Sequence, residues 1–79
     1  VPETRAMSEQ LPSQRLAALL RTLLKEQGLS QEALAERAGL HRNSISMMER
    51  AESQPTVDTL FRLAAGLGMS AVELVKRIS

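Results

Sequence analysis

The chain has 79 residues, with ten basic against nine acidic side chains, a formal charge of +1 and no cysteine. A chain this short buries only about 60% of the surface that it exposes when unfolded, and without cysteine neither a disulfide nor a thiolate metal site can stabilise it. The residues are 43% hydrophobic but include a single aromatic, Phe61. The core must therefore be aliphatic, which favours packed helices over sheet, and the composition predicts one small all-α domain.

Several classes of protein are not expected from this sequence. No apolar run approaches the roughly 20 residues of a membrane-spanning helix, and the first residues lack a signal peptide's apolar stretch, so the chain is expected to be cytoplasmic with no membrane partner. An enzyme is not expected either, because the chain has one histidine, no glycine-rich phosphate loop and no convincing pair of carboxylates. No cofactor, metal ion or small-molecule substrate is expected.

The chain divides into a short arm and a helical domain. Residues 1–12 contain two prolines and no hydrophobic period, and we expect them to form a flexible arm, with the domain over residues 13–79. Ser13 is predicted to cap the first helix and Gly28 to end it. Spacings of three and four place its leucines on one apolar stripe: Leu16, Leu19, Leu20, Leu23 and Leu24.

The next two helices are predicted to be short. Ser30 is a candidate N-cap for a helix over residues 31–38, which Gly39 ends. Its inward residues are predicted to be Leu34, Ala35 and Ala38. A third helix over residues 42–50 turns two apolar side chains the same way, Ile45 and Met48, and Pro55 marks the loop beyond it.

Two further helices are predicted to complete the domain. Thr56 opens the fourth and Gly68 ends it, with these residues predicted inside: Val57, Leu60, Phe61, Ala64 and Leu67. Ser70 opens the fifth, whose apolar stripe is predicted to contain Ala71, Leu74, Val75 and Ile78. The pattern therefore predicts five short helices.

The second and third helices meet the steric conditions of a helix-turn-helix. If Gln31 is the first position of the unit, Ala35 is the fifth, Gly39 the ninth, Ile45 the fifteenth and Met48 the eighteenth. The fifth residue must be small because the helices cross there, the ninth must adopt a positive φ, and the last two must be apolar to anchor the second helix. An ordinary helical hairpin can meet the same conditions, so the spacing alone leaves both interpretations open.

The segments "GLSQEALAERAGLHRNSISMMER" and "QPTVDTLFRLAAGLGMS" closely resemble the Cro/C1-type helix-turn-helix domains, the XRE family. The likeness extends from about Ser13 to Ile78, and it looks closest to small phage-type repressors and to restriction-modification controller proteins. It implies a compact five-helix, lambda-repressor-like domain with the helix-turn-helix over about residues 31–50. It also implies a dimeric bacterial or phage regulator that acts on double-stranded DNA at the nucleoid.

The resemblance assigns DNA contacts to particular positions. The third helix would lie in the major groove, with these residues facing the bases: Arg42, Asn43, Ser44, Ser46 and Met47. An arginine can donate two hydrogen bonds to guanine, and an asparagine can pair with adenine. The residues implied to contact phosphates are Gln31, His41, Arg50, Ser53 and Gln54. For each of them the alternative is ordinary solvated surface, and His41, at an N-cap position, is more simply a cap than a metal ligand.

Met47 is an unusual residue for a DNA-reading position. Helical spacing turns it away from Ile45 and Met48 and so toward the groove. A methionine cannot make a bidentate hydrogen bond, but it can pack against a thymine methyl group. The alternative is that Met47 contacts a partner protein.

Two positions depart from the family pattern. Many members carry an arginine where this chain has Leu24, and that arginine pairs with the glutamate that corresponds to Glu49. Here Glu49 is expected to be solvated or to find Arg21 or Lys25 instead. Ala51 stands where the family often has glycine, so the exit from the third helix is expected to bend differently.

The fifth helix has more apolar surface than is needed to close so small a core. The excess predicts a symmetric dimer interface near Met69, Val72, Val75 and Ile78, although the helix could instead simply seal the core. The predicted function is a homodimeric, sequence-specific transcriptional regulator on a two-fold symmetric operator. The alternative is a protein-interaction module, such as an antitoxin or bridging factor, because no strong basic stripe is present.

Overall fold

The structure is a computed structural model that describes residues 11–79. This part of the chain forms five α-helices: α1 (Pro12–Gln27), α2 (Gln31–Ala38), α3 (Arg42–Glu49), α4 (Val57–Leu67) and α5 (Ala71–Ile78). The predicted all-α organisation is confirmed, and the boundaries of α2 to α5 agree with the prediction to within a residue. Most of the predicted arm, residues 1–10, lies outside the described residues. None of the five helices is both long and apolar enough to cross a membrane.

Three helices begin with the side-chain caps that were predicted. Ser30, Thr56 and Ser70 each accept a hydrogen bond from the backbone N–H three residues on, at 3.0, 3.2 and 3.1 Å. The prediction for α1 was wrong, because this helix begins at Pro12 and has no side-chain cap. Proline has no N–H to satisfy and its φ is already helical, so it starts the helix one residue before Ser13.

The core lies where the helices meet, and its buried side chains are aliphatic as predicted. The face of α4 was predicted wrongly in part, since Val57 and Phe61 are 67% and 60% exposed while Leu63, which was not predicted, is fully buried. Apolar residues cover more than half of the circumference of α4, so their spacing does not fix which arc is inward. On α5, Val75 shares the predicted apolar stripe with the buried Leu74 and Ile78 but is 43% exposed.

Side chains from other helices bind the carbonyl groups at four helix C-termini. Arg62 on α4 donates to the Gly39 carbonyl after α2 at 3.2 Å, and Gln27 on α1 donates to the Leu67 carbonyl of α4 at 3.2 Å. Arg21 and Arg15, both on α1, donate to carbonyls at the ends of α3 and α5. These carbonyls have no partner within their own helices, so the bonds join each helix end to a distant part of the chain.

The exit from α3 is closed by an alanine in the left-handed conformation. Ala51 has a φ of 56°, and beyond it the N–H of Glu52 returns to the carbonyl of Met47 at 2.9 Å. Glycine adopts such a φ readily, whereas the Cβ of an L-residue makes it unfavourable by about 1–2 kcal/mol. The different bend expected from the absence of glycine is therefore not found, and Ala51 instead adopts the glycine-like conformation.

α4 packs closely on α2 at Gly66. A Cβ built on Gly66 would lie 3.0 Å from the Cβ of Ala38 and 3.1 Å from the Cδ1 of Leu34. A side chain at Gly66 would therefore require α2 to shift by a few tenths of an ångström. Because α2 is half of the helix-turn-helix, this contact fixes the unit against the rest of the domain.

We expect Gly66→Ala to lower the free energy of unfolding by about 1–3 kcal/mol, because the added methyl group overpacks the contact with α2. Urea unfolding followed by circular dichroism measures this change. At an exposed position inside a helix, replacing glycine by alanine would instead stabilise the protein by about 1 kcal/mol. A gain in stability would therefore show that the helices are not in close contact at this point.

We expect Ala51→Gly to raise the free energy of unfolding by about 0.5–1 kcal/mol, because glycine removes the unfavourable φ at the exit from α3. The matched control is Ala18→Gly, which replaces an exposed alanine inside α1 and should cost about 1 kcal/mol. If the free energy of unfolding rises for Ala51→Gly and falls for Ala18→Gly, the result supports an unfavourable φ at Ala51. A loss of stability in both would contradict it.

Candidate nucleic-acid interface

The structure meets the four helix-turn-helix conditions derived from the sequence. Ala35 is buried where α2 and α3 cross, and Gly39 turns the chain with a φ of 68°. Ile45 and Met48 are 0% and 2% exposed, so both anchor α3 in the core. The guanidinium of Arg62 also holds the Gly39 carbonyl, which ties the turn to α4. One face of α3 is therefore fixed, and its opposite face is exposed.

The predicted base-reading residues lie along the outward side of α3. Arg42 and Asn43 are exposed in its first turn, and the other three are half-buried: Ser44, Ser46 and Met47. Met47 is outside the core, as helical spacing predicted. A shallow hollow of about 190 Å³ runs beside it and is also lined by Ser53 and Gln54 of the loop before α4. The structure thus brings two of the predicted base-reading residues, Ser44 and Met47, together with the predicted phosphate-contacting residues of the loop, Ser53 and Gln54.

Arg42 and Asn43 each have a weak partner within the chain. The Nε of Arg42 lies 3.7 Å from the Oε1 of Glu32 on α2, in a pair whose side chains are 64% and 71% exposed. An ion pair this exposed contributes about 0–1 kcal/mol, so little is lost when it opens. The Nδ2 of Asn43 lies 3.8 Å from the sulfur of Met47, which is a weak acceptor. Both side chains remain available to an external ligand.

Two of the predicted phosphate-contacting residues, Gln31 and Arg50, make side-chain hydrogen bonds within the chain. Gln31 is the first residue of α2, and its Nε2 donates to the Oε1 of Glu49 at 2.7 Å. Arg50 is held beside α3, because its Nη1 donates to the hydroxyl of Ser46 at 2.8 Å and its Nε to the carboxylate of Glu52 at 3.0 Å. The Glu52 carboxylate therefore neutralises part of the positive charge at this end of the surface.

His41 and the loop residues have fewer contacts. His41 is exposed and occupies the N-cap position of α3, but its side chain makes no capping hydrogen bond. The prediction of its position was right and that of its capping bond was wrong. Ser53 is half-buried and Gln54 exposed in the loop before α4. Among residues 11–79, no group of three or more His, Asp or Glu side chains has an arrangement that could hold a metal ion.

Glu49 accepts two hydrogen bonds, and only one of the two donors, Arg21, was predicted from the sequence. Its carboxylate accepts from Gln31 on α2, while its backbone carbonyl accepts from the Nη1 of Arg21 on α1 at 2.6 Å. Arg21 was a predicted partner for the carboxylate, but it reaches the carbonyl instead. Gln31 was not predicted as a partner, because it lies eighteen residues from Glu49 and only the crossing of α2 and α3 brings them together.

The predicted dimer residues differ in exposure. Val72 is 66% exposed, Val75 is 43% exposed and Met69 is half-buried. Ile78 is 6% exposed and packs in the core of its own chain, so it offers almost no surface to a second copy. Sequence analysis placed it at the interface because it shares a helical stripe with Val75. The exposed apolar surface of α5 is therefore centred on Val72 and Val75.

Three comparisons with known proteins agree with this geometry. The sequence model of the family HTH_3, helix-turn-helix, matches residues 20–74. The chain is 47% identical over 53 residues to y4dJ, an uncharacterised helix-turn-helix transcriptional regulator of Sinorhizobium fredii, and covers 69% of it with 67% of its own length. It is 44% identical over 62 residues to control protein C.SmaI of Serratia marcescens, covering 74% of that protein with 78% of this chain.

A solved structure gives the same result for the fold. A variant of the restriction-modification controller protein C.Esp1396I superposes with a TM-score of 0.75 at 27% identity, over 85% of both chains. The predicted lambda-repressor-like, five-helix fold is confirmed. These relatives are transcriptional regulators and control proteins, which confirms the prediction that the chain is not an enzyme.

Proposed function

The chain belongs to the helix-turn-helix family HTH_3, and from that premise we propose that it is a sequence-specific, DNA-binding transcriptional regulator. In this proposal it acts at the nucleoid as a homodimer and reads a two-fold symmetric operator through the major groove. The observation that carries the proposal is the position of α3, which Ile45 and Met48 anchor in the core while its outward face stays exposed. A buried helix would have no surface with which to read DNA.

Base reading would come from the N-terminal half of α3. Arg42 can exchange its exposed ion pair with Glu32 for two hydrogen bonds to a guanine, and Asn43 can pair with an adenine. Each such bidentate contact would contribute about 1–3 kcal/mol of discrimination. The flexible thioether of Met47 would pack against a thymine methyl group, with Ser44 and Ser46 beside it.

Phosphate contacts would hold α3 in register on the duplex. Gln31 lies at the N-terminus of α2, where backbone N–H groups and the helix dipole favour an anion. Ser53 and Gln54 would contact the backbone from the loop, and His41 from the start of α3. Arg50 would have to leave the Glu52 carboxylate, at 3.0 Å, to reach a phosphate. Such contacts orient the protein without reading sequence.

The dimer would form through α5. A single short reading helix covers too few base pairs to be selective, so proteins of this kind bind two half-sites about 34 Å apart. Val72 and Val75 supply exposed apolar surface on α5, with Met69 at its edge. Two-fold packing of this surface on a second copy would place two reading helices on one face of the duplex.

A second candidate function is a protein-interaction module in which DNA binding is secondary. Val57 and Phe61 favour it, because they lie one turn apart on α4 and are 67% and 60% exposed. Exposed apolar side chains that adjoin in this way are common at protein contacts. An antitoxin or bridging factor would use such a surface.

We expect selection from a random duplex library to enrich a two-fold symmetric site. We also expect Arg42→Ala and Asn43→Ala each to weaken the base preference at one position in both half-sites. Each loses a bidentate contact, so discrimination there should fall by about 1–3 kcal/mol. Lys25→Ala on α1 is the control, since it removes one positive charge from an exposed position outside α3 and the proposed α5 interface. If no sequence is enriched above non-specific binding, the protein-interaction function is favoured instead.

We expect Val72→Asp to convert the dimer to a monomer without unfolding it, because a buried carboxylate would have no partner in the interface. Light scattering at micromolar concentration measures the mass, and circular dichroism checks the fold. Val57→Asp is the matched control, because Val57 is equally exposed but lies on α4. An unchanged mass for Val72→Asp, or dissociation caused by Val57→Asp alone, would contradict an α5 interface.

A further inference from the structure

We propose that Glu49 is a positioning residue for the contact between Gln31 and a DNA phosphate. The proposal rests on the proposed function, because it concerns how one DNA-contacting side chain is held. This role is separate from the charge of Glu49. By its charge alone, a carboxylate at a DNA-binding surface repels the phosphate backbone and weakens binding. The reason lies in the contact between the first residue of α2 and the last residue of α3.

The contact fixes which atom of Gln31 faces Glu49. An ionised carboxylate only accepts hydrogen bonds, so the atom at 2.7 Å from the Oε1 of Glu49 must be the donor Nε2 of Gln31. That nitrogen carries two N–H groups, and one of them is used here. The second N–H is left to donate to another acceptor, such as a phosphate oxygen at the N-terminus of α2. The Oε1 of Gln31, which phosphate would repel, belongs to the same planar group and is oriented at the same time.

Glu49 is itself held by two other helices. Its backbone carbonyl accepts from Arg21 on α1 at 2.6 Å, and its side chain is half-buried where α2 and α3 cross. Ile45, one turn earlier on α3, is fully buried in the core. The carboxylate is therefore a fixed acceptor, and the glutamine that it binds loses rotational freedom before DNA arrives. Because the Gln31 side chain is ordered in advance, its conformational entropy is not lost in the binding step.

The repulsive charge of Glu49 and its positioning of Gln31 predict opposite effects of Glu49→Ala on the affinity for DNA. If only charge matters, Glu49→Ala and Glu49→Gln both remove a repulsive carboxylate and both bind DNA more tightly. If positioning matters, Glu49→Ala releases Gln31 and binds more weakly, whereas Glu49→Gln keeps an acceptor oxygen at the same place. The alanine and glutamine variants therefore separate positioning from charge.

We expect Glu49→Ala to weaken binding to the selected duplex by about threefold to tenfold, the range for ordering one flexible side chain on binding. Glu49→Gln should bind as tightly as the unaltered protein or more tightly. In a Gln31→Ala background, Glu49→Ala should no longer weaken binding, because no glutamine remains to be positioned. Fluorescence anisotropy at one fixed salt concentration measures all four variants and the unaltered protein. Glu26→Ala is the matched control, since it removes an exposed carboxylate on α1, outside the helix-turn-helix and the proposed α5 interface.

The other outcomes overturn the proposal in recognisable ways. Equal tightening by Glu49→Ala and Glu49→Gln would leave charge as the only role of Glu49. A weakening by Glu49→Ala that persists without Gln31, together with a changed base preference, would mean that Glu49 acts on the position of α3. Urea unfolding identifies a variant that binds weakly because it is partly unfolded. If the unaltered protein binds no duplex selectively, the proposed function fails, and this inference fails with it.

Discussion

The whole DNA-facing arrangement depends on the burial of two side chains of α3. A helix of eight residues is too short to be stable in water by itself, because nucleation is costly and few hydrogen bonds follow it. Ile45 and Met48 supply the tertiary packing that makes this helix form, and they also set its rotation about its own axis. With that rotation fixed, Arg42, Asn43 and Met47 must face outward. The same two contacts therefore determine both the stability of the helix and its proposed chemistry.

The surface around α3 combines cations with carboxylates. Glu32 lies beside Arg42, and Glu52 beside Arg50. These pairs are exposed and weak, so they do not prevent a ligand from reaching the arginines, but they reduce the attraction that any anion feels from a distance. A surface of this kind depends more on short, directed hydrogen bonds than on overall charge. The formal charge of +1 for the whole chain fits the same description.

Much of the fold was predictable because its signals are local. Ser30, Thr56 and Ser70 cap helices through bonds to residues three positions away, and the positive φ at Gly39 is one that glycine adopts without steric cost. Their effects are decided within one turn of helix, so the sequence alone suffices to predict them. The spacing of Ile45 and Met48 placed the outward face of α3 for the same reason.

The errors concern choices that depend on packing between helices. The inward arc of α4 was ambiguous because apolar residues surround much of that helix, and its packing against the other helices buries Leu63 and leaves Phe61 exposed. The partner of the Glu49 carboxylate depends on how α2 and α3 cross, which no spacing specifies. The pairing of Arg42 with Glu32 also joins two helices and was not predicted. Ser13 was chosen as a cap because its hydroxyl is a good acceptor, yet Pro12 starts the helix without one.

The bonds between side chains and distant helix ends bear on how the domain opens. Helices usually fray from their ends, where carbonyl groups have no internal partner. Here Arg62 on α4 closes the end of α2, while Arg21 and Gln27, both on α1, close the ends of α3 and α4. Fraying of one helix therefore breaks a contact that another helix supplies. This arrangement raises the cooperativity of unfolding, so slow amide exchange should be shared among the five helices rather than confined to the longest of them.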